Sequence, residues 1–376
     1  MGKAGARVLI LYSSFGTGHR SAAYAVDDAL GEIAPDSVRL VLDGFVVSWP
    51  LAHGAFARAF EIMVGRHPGT WSALCDGKGI FGLALPLSRL TDRVKAKRLL
   101  RRVEEFQPDV VVATHFFVSN ELAYLRREGA MRVPLMTIIT DYYVHRIWLE
   151  EMSDLFVVGS EEVLRERPMR DVRGARAEAY GIPVDKKFWS RPDRATCREK
   201  LGIGKDTFAV LVMGGGMGYG PYKSALAAFD GLGDDFEAVF LTGRNALLRR
   251  ELEGVLRGKR YRTSVLPFVG NVHEYLTACD AVVTKPGGLT VAETGAMGAA
   301  MVVMDPFPGH EMENALFLGK HYGIPFCRSV DELRKELLDL KENPGRRAKL
   351  MAAADRLGRP DAARRCAREA LALAGG

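Results

Sequence analysis

Cysteine is scarce in this chain. Five stand in 376 residues, at Cys75, Cys197, Cys279, Cys327 and Cys366, with no Cys-x-x-Cys pair among them. Neither a disulfide framework nor a thiolate zinc site is built on such spacing, and a reducing compartment is expected. Long apolar runs are missing as well. None approaches the ~20 residues that a bilayer-spanning helix needs, and no early segment joins a basic start to an apolar run and a cleavage site. The chain is therefore expected in the cytoplasm, with any membrane contact peripheral. No Gly-x-x-x-x-Gly-Lys-Ser/Thr occurs, which excludes a Walker-type ATPase, and no Asp-x-Asp pair is there to hold a metal. Low-complexity segments are absent too.

What is present is an ordinary globular composition, 48% hydrophobic and 26% charged, of a length for two domains. The formal net charge of +6 fits an anionic partner or surface, and equally a protein that merely stays soluble. Two stretches share one layout, an apolar strand running into a glycine-rich turn. Val8 to Leu11 precedes Gly16-Thr17-Gly18-His19, and Ala209 to Met213 precedes Gly214-Gly215-Gly216-Met217-Gly218. Turns of this kind expose backbone N–H groups at a helix start, where an anion can sit. The same device built twice predicts a ligand held across a cleft.

Strand-like and helical patterns alternate throughout. In the first half the strands read as 38–42, 110–114, 135–140 and 155–158, with a helix over 21–30; in the second as 209–213, 238–242, 264–266, 281–284 and 301–304. Continuous apolar strands between helices predict parallel sheets covered on both faces. The expected fold is α/β, two doubly wound Rossmann-like domains. A hinge-like stretch, Gly181 to Asp185, divides domain 1–180 from domain 181–354, and a closing helix within 355–376 is expected to return to the first. One region, Phe45 to Arg102, breaks the alternation. Its apolar residues are interrupted by Gly and Pro, and it ends in the basic run Arg89, Arg93, Lys95, Lys97, Arg98, Arg101 and Arg102. Such a run fits an anionic membrane surface or an ordinary solvated helix face.

Chemistry concentrates at strand ends. His19 closes the first glycine turn, where an imidazole beside flexible glycines can deprotonate an acceptor hydroxyl. Asp141 ends the strand over 135–140 at the sheet edge where ligands bind, as a rival base or as a partner that orients the histidine. Gly16 and Gly18 start a dinucleotide fingerprint, but Ser21 replaces its third glycine, and the nicotinamide reading is weak. In the second half, Thr284-Lys285-Pro286-Gly287-Gly288-Leu289-Thr290 opens a helix carrying Glu293, so that amides and a hydroxyl can meet a diphosphate and a carboxylate a ribose. Pro308-Gly309-His310-Glu311-Met312-Glu313-Asn314 adds the mixed donors and acceptors that a sugar needs.

These two motifs, with Gly16 to His19, Thr140 to Trp148 and Gly214 to Gly218, resemble glycosyltransferase family 28. Within that family the likeness is to bacterial processive diacylglycerol glucosyltransferases and plant-type monogalactosyldiacylglycerol synthases, and it spans nearly the whole chain. The resemblance implies a GT-B fold of two facing domains, a UDP-sugar as donor substrate with no cofactor or metal, and an inverting transfer that gives a β-glycoside. Carried over by position, Gly18 belongs to the donor site, and Gly214, Gly215, Gly216, Gly287, Gly288 and Thr290 meet the donor diphosphate. The backbone at Phe268 and Val269 meets the uracil, Glu293 the ribose, and His310, Glu311 and Asn314 the sugar. At His310 the family commonly has glutamine, which leaves the donor sugar open. The acceptor is diacylglycerol or a glycolipid at the inner face of the cell membrane, with Arg89, Arg93, Lys95, Lys97, Arg98 and Trp148 expected to meet the membrane or the acceptor; no nucleic acid is expected as a partner. The same architecture also suits a UDP-N-acetylglucosamine transferase acting on a polyprenyl-linked acceptor, a UDP-N-acetylglucosamine 2-epimerase, or a non-catalytic sensor of UDP-sugar and membrane.

Overall fold

Runs of Val, Ile and Leu without a polar alternate can only be satisfied with both faces covered, and the chain builds two such layers. A computed structural model describes residues 5–14, 16–50, 54, 96–149 and 152–375. The chain divides into two compact units, one of Met1–Lys186, Pro308–His310 and Arg359–Gly376, the other of Lys187–Phe307 and Glu311–Gly358.

The first unit holds β1 (Arg7–Tyr12), β2 (Val38–Asp43), β3 (Val110–Ala113), β4 (Leu135–Ile138), β5 (Leu155–Val157) and β6 (Arg176–Glu178) in the order β2-β1-β3-β4-β5-β6. All its pairings are parallel. On one face Leu9, Leu11, Val111 and Leu135 pack with Val118, Leu122 and Leu125 of the helix Phe116–Arg127 and with Ala96, Leu99 and Val103 of the helix 96–106. On the other lies the helix Gly18–Ile33, buried through Ala22, Ala23, Val26 and Leu30. The C-terminal helix Ala362–Gly375 packs against it, presenting Ala362, Ala363, Cys366, Ala367 and Ala370. Small side chains on both helices let their backbones approach closely.

The second unit holds β7 (Phe208–Met213), β8 (Phe236–Leu241), β9 (Arg262–Leu266), β10 (Ala281–Thr284), β11 (Met301–Met304) and β12 (Phe326–Cys327), again parallel, in the order β12-β11-β10-β7-β8-β9. Its core joins Val210, Val212, Phe240, Val283 and Val302 to Phe229, Leu333 and Leu337 on the helices. In each sheet the strand order reverses once, between β1 and β3 and between β7 and β10. Open α/β sheets bind their ligands at the carboxyl ends of the strands at such a reversal.

Three sequence expectations need correction. The helix Gly18–Ile33 does begin in the first glycine turn, but the second turn opens no helix directly: Pro221 caps a helix that starts only at Tyr222. The strand expected over 135–140 ends at Ile138, which frees Thr140 from the sheet. The strands β6 and β12 escaped sequence reading, one being the polar tripeptide Arg-Ala-Glu and the other two residues long. No described helix is long and apolar enough to cross a membrane.

Candidate active site

In the first unit, three strand ends meet at His19. The chain leaves β1, turns through Gly16 to Gly18 and places His19 in the first helical turn, level with Thr114 after β3 and Thr140 after β4. His19 Nδ1 lies 3.0 Å from the Thr114 carbonyl oxygen and 2.7 Å from Thr140 Oγ1. A carbonyl only accepts, so Nδ1 carries the proton and the lone pair of the neutral ring is on Nε2. The Thr114 hydroxyl returns a bond to the His19 carbonyl at 2.9 Å. Both the ring and its backbone are thereby held to one loop.

Around the imidazole stand His115, edge-on with ring centroids 4.4 Å apart, and Trp148, at 6.2 Å. This desolvation lowers the His19 pKa from its ordinary 6.5, while the charge of Asp141 pulls the other way. The net result is a ring that is neutral at physiological pH, the form a base requires. His115 is buried and pushed well below the ordinary value, chiefly by that burial. Its Nδ1 accepts from the Phe117 backbone N–H at 3.1 Å, which caps the helix Phe116–Arg127. Sequence reasoning passed over Thr114 and His115. The available signal was position, since they end a Val-Val-Val-Ala strand just as Thr140 and Asp141 follow β4.

In the second unit, the loop after β7 is shaped by glycines. A Cβ on Gly214 would strike the Tyr219 carbonyl, and one on Gly218, at φ +70°, would strike the Thr242 carbonyl. The loop is tied to the turn after β8 by Arg244 N–H donating to the Gly216 carbonyl at 3.0 Å. A Cβ on Gly215 would lie 3.8 Å from Thr290 Oγ1, so the Gly214–Gly218 loop and the start of the helix Gly288–Ala296 adjoin. Gly287 is the N-cap of that helix and makes no side-chain cap, while Glu293 lies half-buried one turn in. Phe268 and Val269 follow β9, with Phe268 55% exposed and the Arg244 guanidinium 5.5 Å from its ring centroid.

The motifs over 284–293 and 308–314 are locked to each other. Asn314 Nδ2 donates to the Pro286 carbonyl at 3.1 Å, and Glu311 pairs with Lys285. Both Glu311 and Asn314 are buried, whereas His310, at the first position of the helix His310–Tyr322, is exposed.

The basic residues divide. Arg89, Arg93 and Lys95 lie outside the described residues. Lys97 and Arg98 are exposed on the helix 96–106, with Arg98 donating to the Ser48 carbonyl at 3.2 Å. Arg101 and Arg102 share Glu105 at 3.0 and 2.8 Å, which offsets part of the run's charge. Trp148, grouped with these cations by sequence, is 3% exposed and lines the His19 site with Phe116, so it offers no surface to a membrane.

Comparison with known proteins agrees with this layout. Residues 19–184 match the model of monogalactosyldiacylglycerol (MGDG) synthase, and residues 209–366 that of the glycosyltransferase family 28 C-terminal domain. Monogalactosyldiacylglycerol synthase 3 of Arabidopsis thaliana is 28% identical over 370 residues, covering 94% of this chain and 78% of its own. A processive diacylglycerol beta-glucosyltransferase of Bacillus licheniformis is 29% identical over 261 residues, 66% of this chain and 67% of its own. Among solved structures, MurG of Acinetobacter baumannii shares the fold with a TM-score of 0.65 at 16% identity, over 97% of this chain and 99% of that one. A first unit of the MGDG synthase type followed by a family 28 C-terminal domain, each on its own doubly wound sheet, makes this chain a GT-B glycosyltransferase of family 28.

Proposed function

We propose that the enzyme transfers a hexose from a UDP-sugar to the free hydroxyl of diacylglycerol, with inversion, at an anionic membrane surface. The observation that carries this reading is His19: a neutral imidazole, its Nδ1–H bonded to Thr114 and Thr140, which leaves Nε2 as the basic atom. In the proposed step the acceptor O–H gives its proton to Nε2 and its oxygen attacks the anomeric carbon. The bond to the donor phosphate breaks, and UDP leaves with the electron pair. Asp141 stabilises the imidazolium that forms, as its charge already favours that state. The Gly214–Gly218 loop and the amides opening the helix Gly288–Ala296 meet the leaving diphosphate, since unsatisfied N–H groups at a helix start attract negative charge.

The relatives' acceptors, named as diacylglycerol in one and implied by the galactolipid product in the others, support the lipid half of the reading. The exposed cations Lys97 and Arg98 supply attraction to acidic headgroups, at about 1 kcal/mol each near the surface. The test is UDP release from UDP-glucose and UDP-galactose, with and without vesicles containing diacylglycerol. Release that requires diacylglycerol supports the transfer; release from UDP-N-acetylglucosamine without lipid supports an epimerase instead, and binding without release a sensor.

A further inference from the structure

The donor-side motifs enclose a buried ion pair to which the proposed reaction gives no task. Glu311 is 3% exposed. Its Oε1 pairs with Lys285 Nζ, and its Oε2 accepts the Phe307 backbone N–H at 2.9 Å. The Lys285 side chain is 15% exposed, with its ammonium over the Phe307 ring, 4.6 Å from the centroid. That ring in turn meets Tyr219, at the end of the Gly214–Gly218 loop, edge-on at 6.4 Å. A Cβ on Gly287 would lie 3.4 Å from Glu311 Oε1, so the carboxylate sits directly against the glycines proposed to hold the donor.

Burying two charges costs desolvation that an apolar pair of the same size would avoid, so such a pair is weak as a device for stability alone. What it does supply is geometry. A lone glutamate has three rotatable bonds and can follow a hydroxyl placed in either configuration, whereas one gripped at both oxygens cannot. A carboxylate accepts about four hydrogen bonds, and those to Lys285 and Phe307 leave lone pairs over.

We propose that Lys285 is a positioning residue for donor-sugar recognition: its ammonium fixes Glu311 as an immobile acceptor, so that the site selects among UDP-hexoses by the configuration of a sugar hydroxyl. This rests on the donor-site reading above, and its consequences separate from that reading. A fixed acceptor rewards the hydroxyl that meets it and leaves the mismatched one unpaired, which is how a site distinguishes epimers. The donor-site reading gives uridine and diphosphate to the backbone at Phe268 and Val269 and to the glycine loops, so loss of the Lys285 charge is expected to leave UDP affinity largely unchanged.

The experiment is calorimetric titration of the full chain with UDP, UDP-glucose and UDP-galactose, for wild type, Lys285→Met and Lys285→Arg, with thermal unfolding as a check on folding. Lys285→Met keeps the apolar stem over Phe307 and removes the charge. It is expected to weaken the preferred UDP-hexose about tenfold, the scale of one charge-assisted hydrogen bond, to leave UDP within about twofold, and to level the two hexoses. Lys285→Arg, still cationic, is expected to restore most of the preference. If Lys285→Met does not fold, Glu311→Gln is titrated instead and is expected to lose the preference with UDP affinity kept. UDP and UDP-hexose weakening in equal proportion would mean that Lys285 only shapes the diphosphate loop, and overturns the proposal. An undiminished preference in the variant, or none in wild type, overturns it too. A wild-type chain that binds no UDP brings down the donor-site reading itself.

Discussion

His19 and His115 show how one neighbourhood sets two imidazoles for different work. Each ring is stripped of water and has its pKa lowered, His115 the more strongly, yet the hydrogen bonds run opposite ways: His19 donates from Nδ1 to a carbonyl, and His115 accepts at Nδ1 from a backbone N–H. Only His19 is left with its basic atom on the outer nitrogen. His19→Ala is expected to lower kcat by about 10²-fold or more, the usual share of a general base, with UDP affinity unchanged; equal loss of both would assign His19 a structural role. Because both folded pKa values are depressed, the unfolded chain binds more protons than the folded one. Stability is therefore full above the ordinary 6.5 and falls as pH drops through it towards the folded values. His115→Asn keeps the helix cap without the titrating ring. Its Tm is expected to fall less than that of wild type between pH 7.5 and 5.5, and parallel slopes in a thermal scan would contradict this.

Elements carry the site because both ends of each strand are fixed. At the amino end of β10, Asp280 accepts from Ala209 N–H at 2.9 Å, from Arg194 at 2.8 Å and from the buried Arg198 at 3.2 Å. Arg198 also donates to the Ala278 carbonyl at 2.8 Å, so this cluster ties β7 to β10 at the edge away from the glycine loops. Asp280→Ala strands a buried guanidinium and is expected to cost about 3–5 kcal/mol in chemical denaturation, with UDP affinity kept while the unit stays folded. Gly214→Ala acts at the opposite end, where its methyl would meet the Tyr219 carbonyl. It is expected to lose UDP binding by titration, and unchanged affinity would remove the loop from the donor site.

The strands were legible where Val, Leu and Ile run unbroken, as in β1 and β3, because burial on both faces demands it. The tripeptide β6 and the two-residue β12 were not, since they pair by proximity and carry no pattern of their own. At the site, His19, the glycine turns and Glu293 stood out by residue type and position. Thr114, His115 and the Lys285–Glu311 pair did not, because contacts across 26 or 95 positions arise only when strands take their order in the sheet. Trp148 was grouped with the cations as a membrane or acceptor residue; its burial beside His19 removes the membrane part and is compatible with the acceptor part, a distinction that only the packing around it makes.

At the scale of the whole molecule, the proposed transfer assigns the base to His19 of the first unit and the diphosphate to the glycine loops of the second. Among the described residues, the attraction to a bilayer proposed above rests on charge that Glu105 has not already offset. Lys97→Glu with Arg98→Glu is expected to weaken sedimentation with anionic vesicles and to do so less at high salt, since exposed charges are screened within about 8 Å at physiological ionic strength. The central claim is sharper than binding. Mass spectrometry of the lipids formed when the enzyme is given UDP-glucose or UDP-galactose and diacylglycerol vesicles tests it most directly. The account predicts a diacylglycerol heavier by one hexose or more, made by wild type and nearly lost in His19→Ala; vesicles returned unmodified while the protein demonstrably binds UDP would contradict it.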